Sequence, residues 1–463
     1  MLAALLLVAV VAGVATADKA RDRKVKSAAN GTARASALGL ANRIRALQAT
    51  EGRLESSLAK ASAKSSAKMP KTLTQKLTLA SAADGNYLFA GTTEAIAELK
   101  NGHYEVTEIR SRVTRTDRVA GGTTVIFDRK NTYVLAIAAR GGSVAFEDAK
   151  FKLAKRVTSV DATIYLGAQT DAKLAPIDSG KVKIGQYIEP ICGDVPLLAT
   201  LSDKGEAVIG RAKADCTDGE FDFTADLSLR RADGSRASLG PLSLDSGSSN
   251  IVMTGDRLLQ ASPFDRAAAI RTVSTDKLVN LWHPGTQTAD IGPDGTVAML
   301  GKSTEPQFTY EFDGYEYSGE VRAVPAARAP IGSFPNPRIK RNPKFRMPFV
   351  IFPQGDAENP VLVSASRARL SALKFCGANL YALESKSKSA EERYEIEIVP
   401  GLGGFASTER APFEVQILDA QGALVRSLGK TKPVLVVGVG CNGDRLVIIA
   451  QQGTGVRAVE MGP

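Results

Sequence analysis

Histidine and tryptophan are almost absent from this chain of 463 residues. It contains two histidines, His103 and His283, and one tryptophan, Trp282, and aromatic residues make up 6% of it. Histidine is the commonest general base and a frequent metal ligand, so its scarcity argues against both kinds of site. So few aromatic side chains also argue against a glycan-binding surface. We expect no bound metal ion and no cofactor.

Long apolar runs are also scarce, since the chain has one, at residues 2–14. It ends in the small residues Ala-Thr-Ala at 15–17, after which polar residues return. An apolar core of about 7–15 residues with this exit is typical of a secretory signal, because a membrane span needs about 20 residues. We therefore predict a signal peptide at 1–17 and an exported, soluble protein that is periplasmic or extracellular. No Lys or Arg precedes the core, so the alternative is an uncleaved anchor.

Cysteine is rare, and all four cysteines follow the signal segment: Cys192, Cys216, Cys376 and Cys441. An even number in an exported chain permits two disulfides, with three possible connectivities. Pairing each cysteine with its neighbour along the chain gives Cys192–Cys216 and Cys376–Cys441, and unpaired buried thiols are the alternative. The spacings are too wide for a zinc site.

The positive charge of the chain is confined to its first part. Residues 18–76 hold fourteen Lys or Arg and four Asp or Glu, a net charge of +10, which is the whole net charge of the chain. The composition is rich in Ala, Lys and Ser, and we predict a basic helical arm at 18–72. Apolar residues of this arm follow a 4-3-7-4 spacing that places them on one helix stripe: Leu40, Ile44, Leu47, Leu54 and Leu58.

Two interpretations of the arm remain open. Its helix can pack on the chain's own β domain between solvated ends. Alternatively, residues 18–76 can act as a tether that binds an anionic membrane or envelope polymer, or pairs with a helix of a protein partner. Nucleic acid is not an expected partner, because the protein is exported.

After residue 72 short apolar runs alternate with turn residues, which predicts an all-β domain at 73–463. A short strand, a turn ending near Gly and a second apolar strand recur. Four clear copies lie at 77–91 (LTLASAADGNYLFAG), 288–301 (TADIGPDGTVAMLG), 371–385 (SALKFCGANLYALES) and 437–450 (VGVGCNGDRLVIIA), and three looser copies lie at 124–138, 198–210 and 159–168.

The recurring hairpin resembles the inner hairpins of generic β-propeller repeats, although it matches no named propeller family. Its spacing indicates a seven- or eight-bladed β-propeller whose irregular intervals imply insertions, notably at 326–353. Two β-sandwiches in series are the alternative fold. Cys376 and Cys441 occupy equivalent places in two adjacent copies. Neighbouring sheets lie about 10 Å apart, so this equivalence argues against a bond between them.

One local motif suggests chemistry. The segment from Asp245 to Asn250, DSGSSN, resembles the catalytic loop of pepsin-like aspartic proteases, in which an aspartate activates water. That mechanism needs two such aspartates, and the nearest second candidate, at Asp128, lacks the glycine. The resemblance therefore implies a dimer. A second Asp-Ser-Gly at Asp178 indicates that the tripeptide also occurs here as a simple hairpin turn.

The predicted insertion carries a Pro-rich basic segment that would suit an acidic partner surface: Arg338, Lys340, Arg341, Lys344 and Arg346. The composition favours a non-enzymatic scaffold subunit of an envelope or extracellular assembly, held by its basic arm. The alternative is a propeller hydrolase or lyase with carboxylates at the channel mouth, for which Asp245 is the best single candidate. A pepsin-like dimer is the third hypothesis.

Overall fold

The computed structural model describes residues 71–100, 103–154, 157–185, 190–214, 223–241, 250–261, 267–282, 286–301, 310–312, 315–317, 349–363, 370–385, 398–399, 404–405, 411–453 and 455–462. These residues form thirty-one β-strands and one short 3-10 turn at Pro353–Gly355. The predicted signal peptide and helical arm lie outside them. Across the described ranges no helix is long and apolar enough to span a membrane.

The described strands form seven consecutive antiparallel meanders, which we number as units 1 to 7. Unit 1 contains β1 (Thr72–Asp84), β2 (Tyr87–Lys100), β3 (His103–Asp117) and β4 (Thr123–Lys130), and unit 2 contains β5 (Tyr133–Arg140), β6 (Ser143–Ala154), β7 (Val157–Ala168) and β8 (Ala175–Gly185). Unit 3 contains β9 (Pro190–Leu201), β10 (Ala207–Ala214), β11 (Phe223–Arg230) and β12 (Arg236–Pro241), and unit 4 contains β13 (Asn250–Thr254), β14 (Arg257–Ala261), β15 (Ala267–Thr272) and β16 (Lys277–Trp282).

The later units carry two additional hairpins. Unit 5 contains β17 (Thr286–Ile291), β18 (Val297–Gly301), β21 (Phe349–Phe352) and β22 (Val361–Val363), with the hairpin β19 (Tyr310–Phe312) and β20 (Tyr315–Tyr317) inserted. Unit 6 contains β23 (Leu370–Cys376), β24 (Asn379–Ser385), β27 (Phe413–Leu418) and β28 (Leu424–Lys430), with β25 (Ile398–Val399) and β26 (Gly404–Phe405) inserted. Unit 7 contains β29 (Val436–Asn442), β30 (Arg445–Gln452) and β31 (Gly455–Met461).

The units are arranged in a closed ring. The first strand of each unit contacts the first strand of the next, and β29 returns to contact β1. Buried apolar clusters fill the space between consecutive units, because each sheet is covered on both faces by its neighbours. This all-β architecture is propeller-like, and its single ring differs from the alternative of two sandwiches in series.

The recurring hairpin predicted from the sequence is the pairing of the first two strands of a unit. All four clear copies and the looser copy at 198–210 coincide with such pairs. The looser copy at 124–138 is wrong because it spans the connection from β4 to β5, and the copy at 159–168 lies within the single strand β7. The corresponding hairpins of units 2 and 4 have less similar sequences and were not predicted.

The turns between first and second strands depend on glycine. Gly141 and Gly142 have φ of 60° and 75°, and their cross-strand neighbours Arg140 and Ser143 pair directly. Two consecutive positive φ values define the type I′ turn, which matches the right-handed twist of the flanking strands. Gly141 is also close to unit 3, since a Cβ there would lie 2.4 Å from the Asp203 carbonyl oxygen.

Strand length divides the ring into two parts. β3 has fifteen residues and β6 and β9 have twelve, whereas β13 and β18 have five. At about 3.3 Å per residue these lengths correspond to roughly 50, 40 and 17 Å. Because the turns of all first hairpins lie side by side, the additional residues of units 1 to 3 project from the opposite face of the ring. We call this projection the wall.

Units 2 and 3 form one continuous eight-stranded sheet through the pairing of β8 with β9. Two glycines permit this approach: a Cβ at Gly180 would lie 2.2 Å from the Asp194 carbonyl oxygen, and a Cβ at Gly193 would lie 2.2 Å from that of Lys181. The Asp-Ser-Gly at Asp178 is therefore not a hairpin turn, as its sequence suggested, but part of β8 at a strand junction.

The predicted bond between Cys376 and Cys441 is present, and it links the first strands of units 6 and 7. Their Cα atoms are 5.5 Å apart. The expected separation of about 10 Å was wrong for this position, because the sheets of a ring converge at its centre and both cysteines lie on innermost strands. For the other predicted pair, Cys216 and the side chain of Cys192 lie outside the described residues.

The approach of unit 7 to unit 1 yields a test of ring closure. A Cβ at Gly440 would lie 2.1 Å from the Ala83 carbonyl oxygen, whereas at Gly210, also inside a strand, the nearest atom is 3.7 Å away. We expect Gly440→Ala to lower the free energy of unfolding by about 2–4 kcal/mol, because backbone must move. Gly210→Ala is the matched control and should change it by less than about 1 kcal/mol.

Urea denaturation of both variants measures the difference. Equal effects of the two substitutions would contradict the tight seam between units 7 and 1.

Candidate functional site

The centre of the ring contains a cavity of about 310 Å³ at the end where the first-hairpin turns lie. Its lining comes from the first strands of units 1, 2, 3, 4, 6 and 7. Much of the cavity lining consists of small residues, which leave the space open: Ala80, Ala82, Ala138 and Gly438. Ligand pockets commonly begin at about 300 Å³, so the cavity can hold a small molecule or a side chain of a partner.

Two cations border the cavity, and both are engaged within the protein. Arg140 donates to the Met253 carbonyl oxygen at 2.9 Å and to Thr254 Oγ1 at 2.8 Å, which joins unit 2 to unit 4 past unit 3. Lys374 Nζ lies 3.0 Å from an Asp290 carboxylate oxygen. That carboxylate is buried and also accepts the Phe375 N–H at 2.8 Å.

Two carboxylates border the same cavity. Asp84 accepts from Gln169 Nε2 at 2.7 Å and from the Gly142 N–H at 3.4 Å. Asp203 accepts the Gly255 N–H at 3.0 Å. Neither forms an ion pair with another part of the chain that the structure describes. The cavity therefore combines apolar walls with two carboxylates whose neighbouring cations have other partners.

Hydrogen bonds of this kind join every pair of neighbouring units. Between units 1 and 2, Gln169 Nε2 donates to Asp84; between units 2 and 3, the Leu198 N–H donates to Glu147; and between units 3 and 4, the Gly255 N–H donates to Asp203. Between units 4 and 5, Arg257 donates to the Asp294 carbonyl oxygen, and between units 5 and 6, the Phe375 N–H donates to Asp290. Between units 6 and 7, the Tyr381 hydroxyl donates to the Asp444 carbonyl oxygen, and between units 7 and 1, the Gly85 N–H donates to the Cys441 carbonyl oxygen. We call this set the girdle. Four of its members border the cavity and help to hold the units together there: Asp84, Asp203, Phe375 and Cys441.

The most perturbed acid among the described residues lies away from the cavity, between units 1 and 2. Asp148 is 2% exposed, and its Oδ2 lies 3.2 Å from Arg129. Phe127, Phe146 and Tyr165 pack against one another beside it. Burial raises the pKa of Asp148 to about 6, and Arg129 only partly opposes this.

The raised pKa of Asp148 predicts that the stability of the protein depends on pH. Its pKa is higher in the folded protein than in the unfolded chain, so its contribution is complete below about pH 4 and is lost as pH rises through 6. The loss is about 3 kcal/mol. The free energy of unfolding is measured by urea denaturation between pH 4 and 8. We expect Asp148→Asn to remove this part of its decline with rising pH. Asp161→Asn is the control and should leave it unchanged, because the side chain of Asp161, on the neighbouring strand β7, is 47% exposed. An unaltered decline in Asp148→Asn would contradict the assignment.

Most residues predicted from the sequence to have functional roles lie outside the described ranges. These are Asp245, the arm stripe Leu40, Ile44, Leu47, Leu54 and Leu58, and the basic segment Arg338, Lys340, Arg341, Lys344 and Arg346. Asp128, the nearest second protease candidate, lies on β4 and forms ion pairs with Arg110 and Arg112 at 2.5 and 3.1 Å. Asp178 on β8 forms ion pairs with Arg211 on β10 and Arg230 on β11.

Apart from Cys441, the residues that border the cavity were not predicted as functional residues from the sequence. Asp84 and Asp203 stand at turns of the recurring hairpin, which is a signal that the sequence offered. Arg140 and Lys374 have no such signal, because their partners are distant along the chain. Within the described ranges no group of three or more His, Cys, Asp or Glu side chains could hold a metal ion.

In comparisons with known proteins, the chain matches solved structures only. No family model matches the chain, and no curated protein matches it. Among solved structures, an acylaminoacyl peptidase from Pyrococcus horikoshii is 10% identical with a TM-score of 0.45, over 84% of this chain and 51% of that one. The chain thus spans about half the length of that enzyme. The β-propeller domain of the Trilobed protease from Pyrococcus furiosus is 10% identical with a TM-score of 0.43, over 83% and 93% of the two chains.

The WD40 repeats of RRP9 are 7% identical with a TM-score of 0.37, over 82% of this chain and 89% of that one. At these scores the matches carry no argument about activity, and the propeller-like description rests on the chain's own ring. The comparisons do not support the resemblance of Asp245–Asn250 to aspartic proteases.

Proposed function

We propose that the chain is an exported, seven-bladed propeller that serves as a non-enzymatic scaffold subunit of an envelope or extracellular assembly, tethered by its basic arm. The seven units are its blades. The observation that carries the proposal is the girdle: the ionisable groups at the central cavity are engaged in joining the blades. A rigid ring of this kind offers its faces, rather than its centre, to partners.

The distribution of charge and of strand length supports the same role. Outside residues 18–76 the chain has no net charge, so an electrostatic attachment falls to the arm. The wall gives blades 1 to 3 a surface that extends roughly 20–30 Å beyond the short blades. Some charges on the wall form cross-strand pairs, such as Lys76 with Glu94 and Arg112 with Glu94.

Affinity purification from the native source, followed by mass spectrometry, tests the tether. We expect partners to co-purify with the mature chain and to be lost when the chain starts at Leu73, while the thermal unfolding midpoint stays within about 2 °C. A matched pair of arm variants separates charge from the apolar stripe. One replaces Lys60, Lys64 and Lys68 with Gln, and the other replaces Leu54 and Leu58 with Ser.

Loss of partners in the Gln variant alone would indicate an anionic surface, and loss in the Ser variant alone would indicate a helix-binding protein. Retention of all partners without the arm would contradict the tether.

A hydrolase or lyase is the second candidate, because Asp84 and Asp203 border the cavity without an ion pair among the described residues. We expect Asp84→Asn and Asp203→Asn to abolish any turnover of an envelope glycan or peptide library. Turnover by the unaltered chain that both variants retain would exclude this site, and would direct attention to Asp245.

A further inference from the structure

The disulfide between Cys376 and Cys441 is located where three units of the ring meet. The Cys441 sulfur is bonded to unit 6, its strand β29 belongs to unit 7, and its carbonyl oxygen accepts the Gly85 N–H of unit 1 at 3.0 Å. Cys441 is also the residue of β29 that pairs with Asp84, and no other pair is formed between β29 and β1. The bond therefore fixes a residue that also contacts unit 1 across the seam.

Among the described residues, the seam between units 7 and 1 has the smallest buried apolar cluster of the seven interfaces. Its buried cluster consists of Ala83, Leu88, Val447 and Ile449, whereas the cluster between units 6 and 7 has thirteen buried residues. One ion pair supplements it across the seam, since Glu460 of β31 lies 2.7 Å from Arg118 of unit 1. Within unit 7, Glu460 also lies 2.9 Å from Arg445. Burial raises the pKa of Glu460, but Arg118, Asn442 and Arg445 together outweigh it and hold the pKa below its ordinary value.

The two cysteines differ in exposure. Cys376 is 1% exposed, whereas Cys441 is partly exposed and borders the central cavity. The cavity is therefore the side from which a thiolate would approach Cys441. Phe375 and Gly377 border the cavity beside it, so the path leads between the first strands of units 6 and 7.

We propose that the Cys376–Cys441 disulfide is a reversible redox site, reached through the central cavity by a dithiol reductant, whose reduction opens the seam between units 7 and 1. The reductant thiolate attacks Cys441 Sγ and forms a mixed disulfide, and Cys376 leaves as a thiolate that takes up a proton. The second thiol of the reductant then attacks the mixed disulfide and releases Cys441 as a thiol. The reductant is oxidised to its disulfide, and the protein gains two electrons and two protons.

Reduction frees the end of β29 from unit 6. The Cys441 carbonyl is then no longer held against Gly85, and the small apolar cluster is left to close the ring. The large cluster between units 6 and 7 keeps β29 to β31 folded on unit 6. The change is therefore confined to one seam, and this distinguishes it from global unfolding.

The experiment treats the native full chain with excess 2-mercaptoethanol, quenches it with acid and locates the mixed disulfide by mass spectrometry. We expect adducts on Cys441 at least about tenfold more often than on Cys376, because attack from the cavity reaches that sulfur. Adduct formation should also be independent of urea below the unfolding transition. Adducts mainly on Cys376, or reduction that occurs only as the protein unfolds, would overturn the proposal.

Hydrogen exchange tests the consequence. With a dithiol present we expect amide exchange to rise about tenfold or more around Gly85 and in β29, with no change in β5 to β8. The double variant Cys376→Ser/Cys441→Ser should show the same pattern without reductant and no further response to it. A change spread over all units, or none at the seam, would overturn the proposal.

Discussion

Closure of the ring is the constraint on which the other features of this molecule depend. A ring of sheets must join its last unit to its first, and among the described strands no strand crosses that seam to complete a neighbouring sheet. Unit 7 has three strands, and β1 belongs to unit 1 as its innermost strand. Closure therefore depends on side-chain and backbone contacts at one place. Gly440 permits the close approach of β29 to β1, and Cys441 forms the single residue pair between these two strands. Arg118 of unit 1 forms an ion pair with Glu460 of unit 7.

The same requirement explains the chemistry of the central cavity. Groups that would be catalytic candidates by residue type are instead bonded across unit boundaries, as Arg140 is to Met253 and Lys374 is to Asp290. Buried or half-buried charges are costly unless they are paired, and pairing across a boundary also fixes the relative position of two sheets. The centre of the ring thus contributes to its rigidity, and the unequal strands give it an asymmetric outer surface.

The sequence predicted the parts of the fold that follow from local chemistry. Turn residues and apolar runs identified five of the seven first hairpins, because a tight turn requires Gly, Asn or Asp at specific positions. The first hairpins of units 2 and 4 were missed because their turns, RGG at 140–142 and TGD at 254–256, resemble the other turns less. The wall and the joined sheet of units 2 and 3 were not predictable, since strand length and the approach of Gly180 to Asp194 depend on distant residues. The same applies to Arg140 and Lys374, whose partners are set by the ring.

The most direct test of a closed ring is a double-mutant cycle on Arg118 and Glu460, which lie 342 residues apart in sequence and on the two sides of the seam. Free energies of unfolding are measured for Arg118→Ala, Glu460→Ala and the double variant. A ring closed by this contact predicts a coupling energy of about 1–3 kcal/mol, because the two half-buried groups share one interaction. Additive effects of the two substitutions would contradict closure of the ring by this contact.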